Sequence, residues 1–193
     1  MYDYLLNKRK IEEEDILRYR LGMTQEDRQF ENRIIFPSFD KNGELNFYVG
    51  RLIYDGKMKY LCSRNEKHKI VINELNIDFK KPLTIVEGYF DFLKVNQNAT
   101  FLAGSELSHN SKLFEEIVKN KTVVYLALDA DAKKKTMKLA DKFARYGIEV
   151  YIIDVLPYKD AGDMPKIEFM KHYKNAKLFQ PLDSIKNKIA MVN

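Results

Sequence analysis

Apolar and polar positions along this chain follow two rhythms, and the change between them falls near residue 80. In the first stretch, Ile11 to Arg20 reads as a short helix. Glu12 to Asp15 place acids in its first turn, where they suit the helix dipole, and Leu21-Gly22 ends it. Arg33-Ile34-Ile35-Phe36 and Phe47-Tyr48-Val49 are β-rich, and Asp40-Lys41-Asn42-Gly43 between them carries an Asn-Gly hairpin signal. Asp55-Gly56 marks another turn before Met58 to Leu61, so this part predicts a small antiparallel meander. After Lys80-Lys81-Pro82 the strands become almost wholly apolar and alternate with helices. Leu83 to Val86, Thr100 to Ala103, Thr122 to Leu128 and Glu149 to Ile153 predict four strands. Helices are expected around Phe90 to Val95, Lys112 to Lys119 and Lys133 to Tyr146, the last stopped by Gly147. Such alternation implies a parallel sheet covered by helices on both faces. One or two further helices are expected over 166–193.

The fold class predicted is therefore α/β: a parallel sheet flanked by helices, preceded by a small α+β subdomain with an antiparallel meander. The boundaries expected are a basic N-terminal subdomain over 1–80, the sheet domain over 81–164 and a C-terminal helical segment over 165–193.

Composition narrows the class. With 45% apolar and 12% aromatic residues, the chain is not a disordered one. No apolar run approaches the roughly 20 residues that span a bilayer, and Met1 to Lys10 lacks the apolar core of a secretory signal. Cys62 is the single cysteine, which excludes an internal disulfide or a cysteine-built zinc module within these residues. His68, His109 and His172 show no ligand spacing. These features predict a cytoplasmic protein with no membrane partner. The formal charge of +5 is compatible with a polyanionic partner. Basic residues are spread through both halves, whereas acids cluster at a few strand ends.

Those acids are the candidate chemistry. Glu87 ends the first strand of the alternating part, Asp129 ends the third, and Asp160 follows the fourth. In an open α/β sheet, sites form at the carboxyl ends of parallel strands, where strand order reverses. Carboxylates gathered there repel one another unless cations neutralise them. Magnesium or manganese suits oxygen ligands, and magnesium commonly bridges to substrate phosphates. Taken singly, each acid reads as a helix cap or a loop residue. Taken together at corresponding strand ends, they point to a site. Lys133-Lys134-Lys135 at a helix N-terminus is unfavourable unless anions sit nearby; it reads first as a solvated helix face, with the adjacent aspartates or a substrate phosphate as the alternative partners.

Ile85-Val86-Glu87-Gly88-Tyr89-Phe90-Asp91 resembles the strand–Glu-Gly–helix motif of the TOPRIM domain shared by primases, topoisomerases and some nucleases. Leu128-Asp129-Ala130-Asp131 resembles its Asp-x-Asp motif. Leu156 to Asp163 is similar to the primase version of its last acidic loop. The first half is more specific. Tyr4-Leu5-Leu6, Tyr19-Arg20-Leu21-Gly22, Asn32-Arg33-Ile34-Ile35-Phe36-Pro37, Gly50-Arg51 and Lys59-Tyr60-Leu61 resemble the basic subdomain that precedes TOPRIM in bacterial-type DNA primases. The likeness runs from about Tyr4 to Met164. It departs at Ala130 and Ala132-Lys133, where the family usually has Asp-Gly-Asp followed by Ala-Gly. It departs again over Arg64 to Phe79, which lacks the usual linking pattern.

The resemblance implies a DNA primase catalytic core without zinc-binding and helicase-binding domains, of the kind expected in a phage or mobile element. Such an enzyme joins ribonucleoside triphosphates into short RNA primers on a single-stranded DNA template. It implies one or two Mg2+ or Mn2+ ions on Glu87, Asp129, Asp131 and Asp160, with Asp91 as an alternative ligand, Glu87, Asp129 and Asp131 as the catalytic set and Glu87 as general acid or base. Asn32, Arg33, Arg51 and Lys59 would contact template or nucleotide. A replicative helicase or a separate zinc-binding protein is a further expected partner. A TOPRIM-type metal-dependent nuclease and a non-catalytic primase-like accessory protein that binds nucleic acid remain alternatives.

Overall fold

The structure is a computed structural model that describes residues 1–95, 98–104 and 106–181. It divides into two compact units, Met1–Leu75 and a second that starts at Asn76.

The first unit holds one α-helix, α1 (Glu13–Arg18), and an antiparallel sheet in the order β1-β2-β3. These strands are β1 (Arg33–Phe39), β2 (Leu45–Leu52) and β3 (Tyr60–Cys62). Alternation puts Ile34, Phe36, Phe47 and Val49 inside. The β1–β2 turn is made by Asp40, whose carboxylate accepts the Asn42 and Glu44 N–H groups, and by Gly43 at φ +84°. Gly50 is needed for space: a Cβ there would stand 2.6 Å from the Phe30 ring. Residues beyond β3 are held by polar ties. Buried Ser38 donates to Asn46 and accepts the Asn73 N–H, while Asn46 donates to the Val71 carbonyl. A single π-helical turn at Tyr4–Lys8 precedes α1, and the sequence pattern gave no sign of it.

The second unit is a five-stranded sheet in the order β5-β4-β6-β7-β8. The strands are β4 (Leu83–Val86), β5 (Ala99–Phe101), β6 (Val124–Ala127), β7 (Val150–Ile152) and β8 (Lys177–Leu178). Between them lie α2 (Tyr89–Phe92), α3 (Lys112–Asn120), α4 (Lys133–Ala144) and α5 (Lys166–Lys174). Leu83, Ile85 and Val86 are fully buried, and each such side chain stabilises the fold by roughly 1.5–3 kcal/mol. Ser111 caps α3 by accepting the Phe114 N–H, and Gly147, at φ +72°, takes the chain out of α4. Phe114 of α3 stacks on Phe143 of α4 with ring centroids 5.2 Å apart. Tyr173 of α5 stacks on Tyr125, which in turn stacks on its in-register neighbour Tyr151.

The sheet differs from a purely parallel one at its last edge. β4, β5, β6 and β7 are mutually parallel, but β8 runs antiparallel to β7. Its residues fall where the sequence pattern predicts helix. Pairing along the open side of β7 outweighs local preference, and buried Phe179 extends it by donating its N–H to the Val150 carbonyl. Residues 182–193 of the expected C-terminal helical segment lie outside the described residues. Among the described residues no helix is long and apolar enough to cross a membrane.

Candidate active site

Strand order places the site. β4 and β6 are neighbours, registered to their last pair, Val86 with Ala127, while β5 lies on the other side of β4. The chain therefore reverses its direction of winding at β4, and the carboxyl ends of β4 and β6 flank a topological switch point. Glu87 is the first residue beyond β4, and Asp129 stands two beyond β6. Asp160 comes in on the loop after β7, where its carboxylate accepts the Asp163 N–H and caps a single 3-10 turn, Ala161–Asp163. The Ala130 N–H donates to the Lys159 carbonyl at 2.9 Å, which ties this loop to the Asp-x-Asp loop.

Asp91 joins them from α2. It is buried, with Oδ2 accepting the Gly88 N–H at 2.8 Å and Oδ1 accepting the Gly162 N–H at 3.1 Å. Burial first, and then the neighbouring Asp160 and Asp129 charges, push its carboxyl up to about 7 against those two hydrogen bonds. Burial likewise pushes Asp129 up to about 6, helped by Glu87, Asp160 and Asp131 and opposed by Lys159. These carboxylates thus share one negative field. Asp131 is exposed on its loop.

Lys135 of α4 places its ammonium 2.8 Å from Glu87 Oε1. The contact is a charge pair without hydrogen-bond alignment, since the same buried oxygen has no hydrogen-bond partner among the described residues. A cavity of about 530 Å3 opens beside Asp129 and runs between α4 and the β7–β8 edge, past Lys133, Thr136, Ile153 and Phe179.

The donor chemistry fits a hard divalent cation: several carboxylates hold one another's charge at a cost that a cation would relieve. Among the described residues, however, no three histidine, cysteine or acidic side chains converge on a ready-made ion site. Magnesium does not require one. It keeps several waters and binds through one or two carboxylates together with substrate phosphates.

The basic candidates lie in the first unit and are not equivalent. Arg33 is buried and donates to the carbonyls of Met58 (2.9 Å), Lys59 (3.4 Å) and Gly50 (3.5 Å). Arg51 lies over the Tyr60 ring at 4.8 Å and hydrogen-bonds Tyr4, whose hydroxyl also accepts from Arg9. Burial acts to raise the Tyr4 phenol, but these two guanidinium contacts outweigh it and hold the phenol below its ordinary value. Tyr4, Lys8, Arg9, Arg51, Tyr54 and Asp55 line a cavity of about 240 Å3. Lys59 is exposed, and so is Asn32, whose backbone has φ +58°.

No family model matches the chain. The Aquifex aeolicus primase structure, which comprises zinc-binding and RNA polymerase domains, superposes with a TM-score of 0.74 at 18% identity, over 90% of this chain and 55% of that one. The fold is that of the bacterial primase catalytic core. A primase catalytic domain solved bound to single-stranded DNA gives a TM-score of 0.71 at 18% identity, over 90% of this chain and 70% of the other. In sequence, a DNA primase of Clostridium acetobutylicum is 28% identical over 163 residues, or 77% of this chain. The chain spans about a quarter of the length of the curated primases it matches.

Asp91 and Lys135 contact candidate residues or their loops, Arg9 shares Tyr4 with Arg51, and the sequence pattern alone does not single out any of the three as a site residue. Asp91 falls in the first turn of the expected helix, where an acid suits the dipole, and the Gly88-Tyr89-Phe90-Asp91 spacing signals the bond back to Gly88. Nothing local signals the Gly162 bond, the Glu87–Lys135 pair or the meeting of Arg9 and Arg51 at Tyr4.

Proposed function

We propose that this chain synthesises short RNA primers on single-stranded DNA by metal-dependent nucleotidyl transfer. The observation that carries the proposal is the set of mutually perturbed carboxylates at the β4–β6 switch point of a primase-type fold. The chain's net charge of +5 and the DNA-bound neighbour of the same fold support the choice of substrate.

In this reading Glu87, Asp129, Asp131 and Asp160 hold one or two Mg2+ or Mn2+ ions. When bound, the ions neutralise the triphosphate and make the primer 3′-hydroxyl a better nucleophile. Glu87 handles the proton of that hydroxyl, and Lys135 beside it supplies positive charge toward the incoming phosphates. Asp131, exposed and next to the α4 N-terminus, would share a cation with Asp129 in this reading. Arg51 and Lys59 contact template or nucleotide phosphates, with Asn32 beside them in sequence reach of the same meander. Arg33 serves the same surface from beneath by fixing the carbonyls of Met58 and Lys59. A helicase or a separate zinc-binding protein would supply template choice.

The test is incubation with single-stranded DNA, labelled ribonucleotides and Mg2+ or Mn2+. Short RNA products that vanish in folded Glu87→Gln support the proposal. Template cleavage without synthesis replaces it with a nuclease, and DNA binding with neither reaction replaces it with an accessory role.

A further inference from the structure

We infer that Asp91 is a positioning residue, whose carboxylate clips the turn that carries Glu87 to the loop that carries Asp160. The inference rests on the metal-dependent reading above and deepens it, because it assigns the spacing of the proposed ligands to a side chain outside their number.

Three observations carry it. First, the two carboxylate oxygens point at different segments: Oδ2 takes the Gly88 N–H, one residue after Glu87, and Oδ1 takes the Gly162 N–H, two residues after Asp160. Capping of α2 accounts for the Gly88 bond alone. The Gly162 bond spans 71 residues of sequence and has no helical purpose.

Second, both partners are glycines for lack of room. A Cβ on Gly88 would stand 2.9 Å from Asp91 Oδ2. One on Gly162 would stand 2.7 Å from Asp91 Oδ1 and 3.2 Å from Asp160 Oδ1. Neither glycine has a positive φ, so backbone freedom does not explain them. Close approach of the carboxylate does.

Third, the remaining acid loop is tied to the same place by backbone. The Ala130 N–H on the Lys159 carbonyl joins the Asp129–Asp131 loop to the Asp160 loop. Asp91 then closes the chain of contacts from the Glu87 turn. Groups that orient metal ligands in this way typically influence affinity by ten- to hundredfold.

The test compares metal-free wild type with Asp91→Asn, an isosteric change that leaves one acceptor oxygen where two are needed. Amide NMR and hydrogen exchange read Gly88 and Gly162 directly. Titration with Mn2+ alone, followed by electron paramagnetic resonance, reads the number and affinity of ions bound. In Asp91→Asn both glycine resonances should move and exchange faster. The number of Mn2+ ions should stay that of wild type while affinity falls about ten- to hundredfold. Gly162→Ala, which displaces Oδ1 from the other side, should give a similar fall, and the double variant should be little worse than either alone.

Loss of bound Mn2+ equivalents in Asp91→Asn, as in Asp160→Asn, would make Asp91 a ligand and overturn the inference. A moved Gly88 amide with an unchanged Gly162 amide and unchanged affinity would reduce Asp91 to a helix cap and overturn the inference. Absence of Mn2+ binding in wild type would instead defeat the metal reading, and the glycine amides would still decide whether the clip exists.

Discussion

Removing the ionisable group at Asp91 should change how stability depends on pH, and the sign follows from its surroundings. Its carboxyl lies at about 7 in the folded chain against an ordinary 3.8. The folded state therefore holds this proton more tightly than the unfolded state does. Below about pH 4 both states are protonated and the group costs nothing. Between about pH 4 and 7 stability falls as pH rises, and above 7 the full penalty of a buried charge among like charges remains. At about 1.4 kcal/mol per pKa unit, that penalty has an upper bound of about 4 kcal/mol. Local relaxation and water near the acid loops reduce it to about 2 kcal/mol. The assay is urea unfolding in EDTA between pH 4 and 8. Wild type should lose about 2 kcal/mol more than Asp91→Asn across that window, whatever the offset between the two curves. Saturating Mg2+ should flatten the wild-type slope. Parallel slopes for wild type and Asp91→Asn would refute the reasoning.

Other outcomes follow from individual contacts. Arg33→Ala strands three carbonyls around one strong hydrogen bond and should destabilise the first unit by about 2–3 kcal/mol in urea melts, with Arg33→Lys recovering only part. Phe143→Ala empties a fully buried site stacked on Phe114 and should cost about 3–5 kcal/mol, measured the same way. Arg51→Ala should weaken single-stranded DNA binding and lower the slope of log affinity against log salt by about 0.7, readable by fluorescence anisotropy; an unchanged slope would remove Arg51 from the phosphate contacts.

Much of the architecture was legible because it is written locally. The hairpin between β1 and β2 follows from Asp40 to Gly43, and the alternation of apolar strands with helices announces the sheet before any contact is known. Termini were less legible: β4 matches its apolar run, whereas β6 and β7 are each shorter than theirs, since pairing, not hydrophobicity, decides where a strand stops. The acids could be placed at strand ends, but not at neighbouring ones. That depends on the order β5-β4-β6, which no local pattern encodes. The same limit explains β8, which exists only because β7 offers an unpaired side. It explains Arg33 as well. A basic residue in a β-rich, positively charged block reads as a surface contact, while its actual partners are carbonyls as many as 26 residues away. Lys135 read as one lysine of a solvated face until α4 brought it to Glu87.

The most direct test of the central claim is RNA synthesis on single-stranded DNA by wild type and Asp129→Asn, with Mn2+ and with circular dichroism to confirm equal folding. Wild type should make short ribonucleotide products, and Asp129→Asn should lose at least roughly a hundredfold in rate because the cation loses a charged ligand. Equal synthesis by the two proteins would contradict the account.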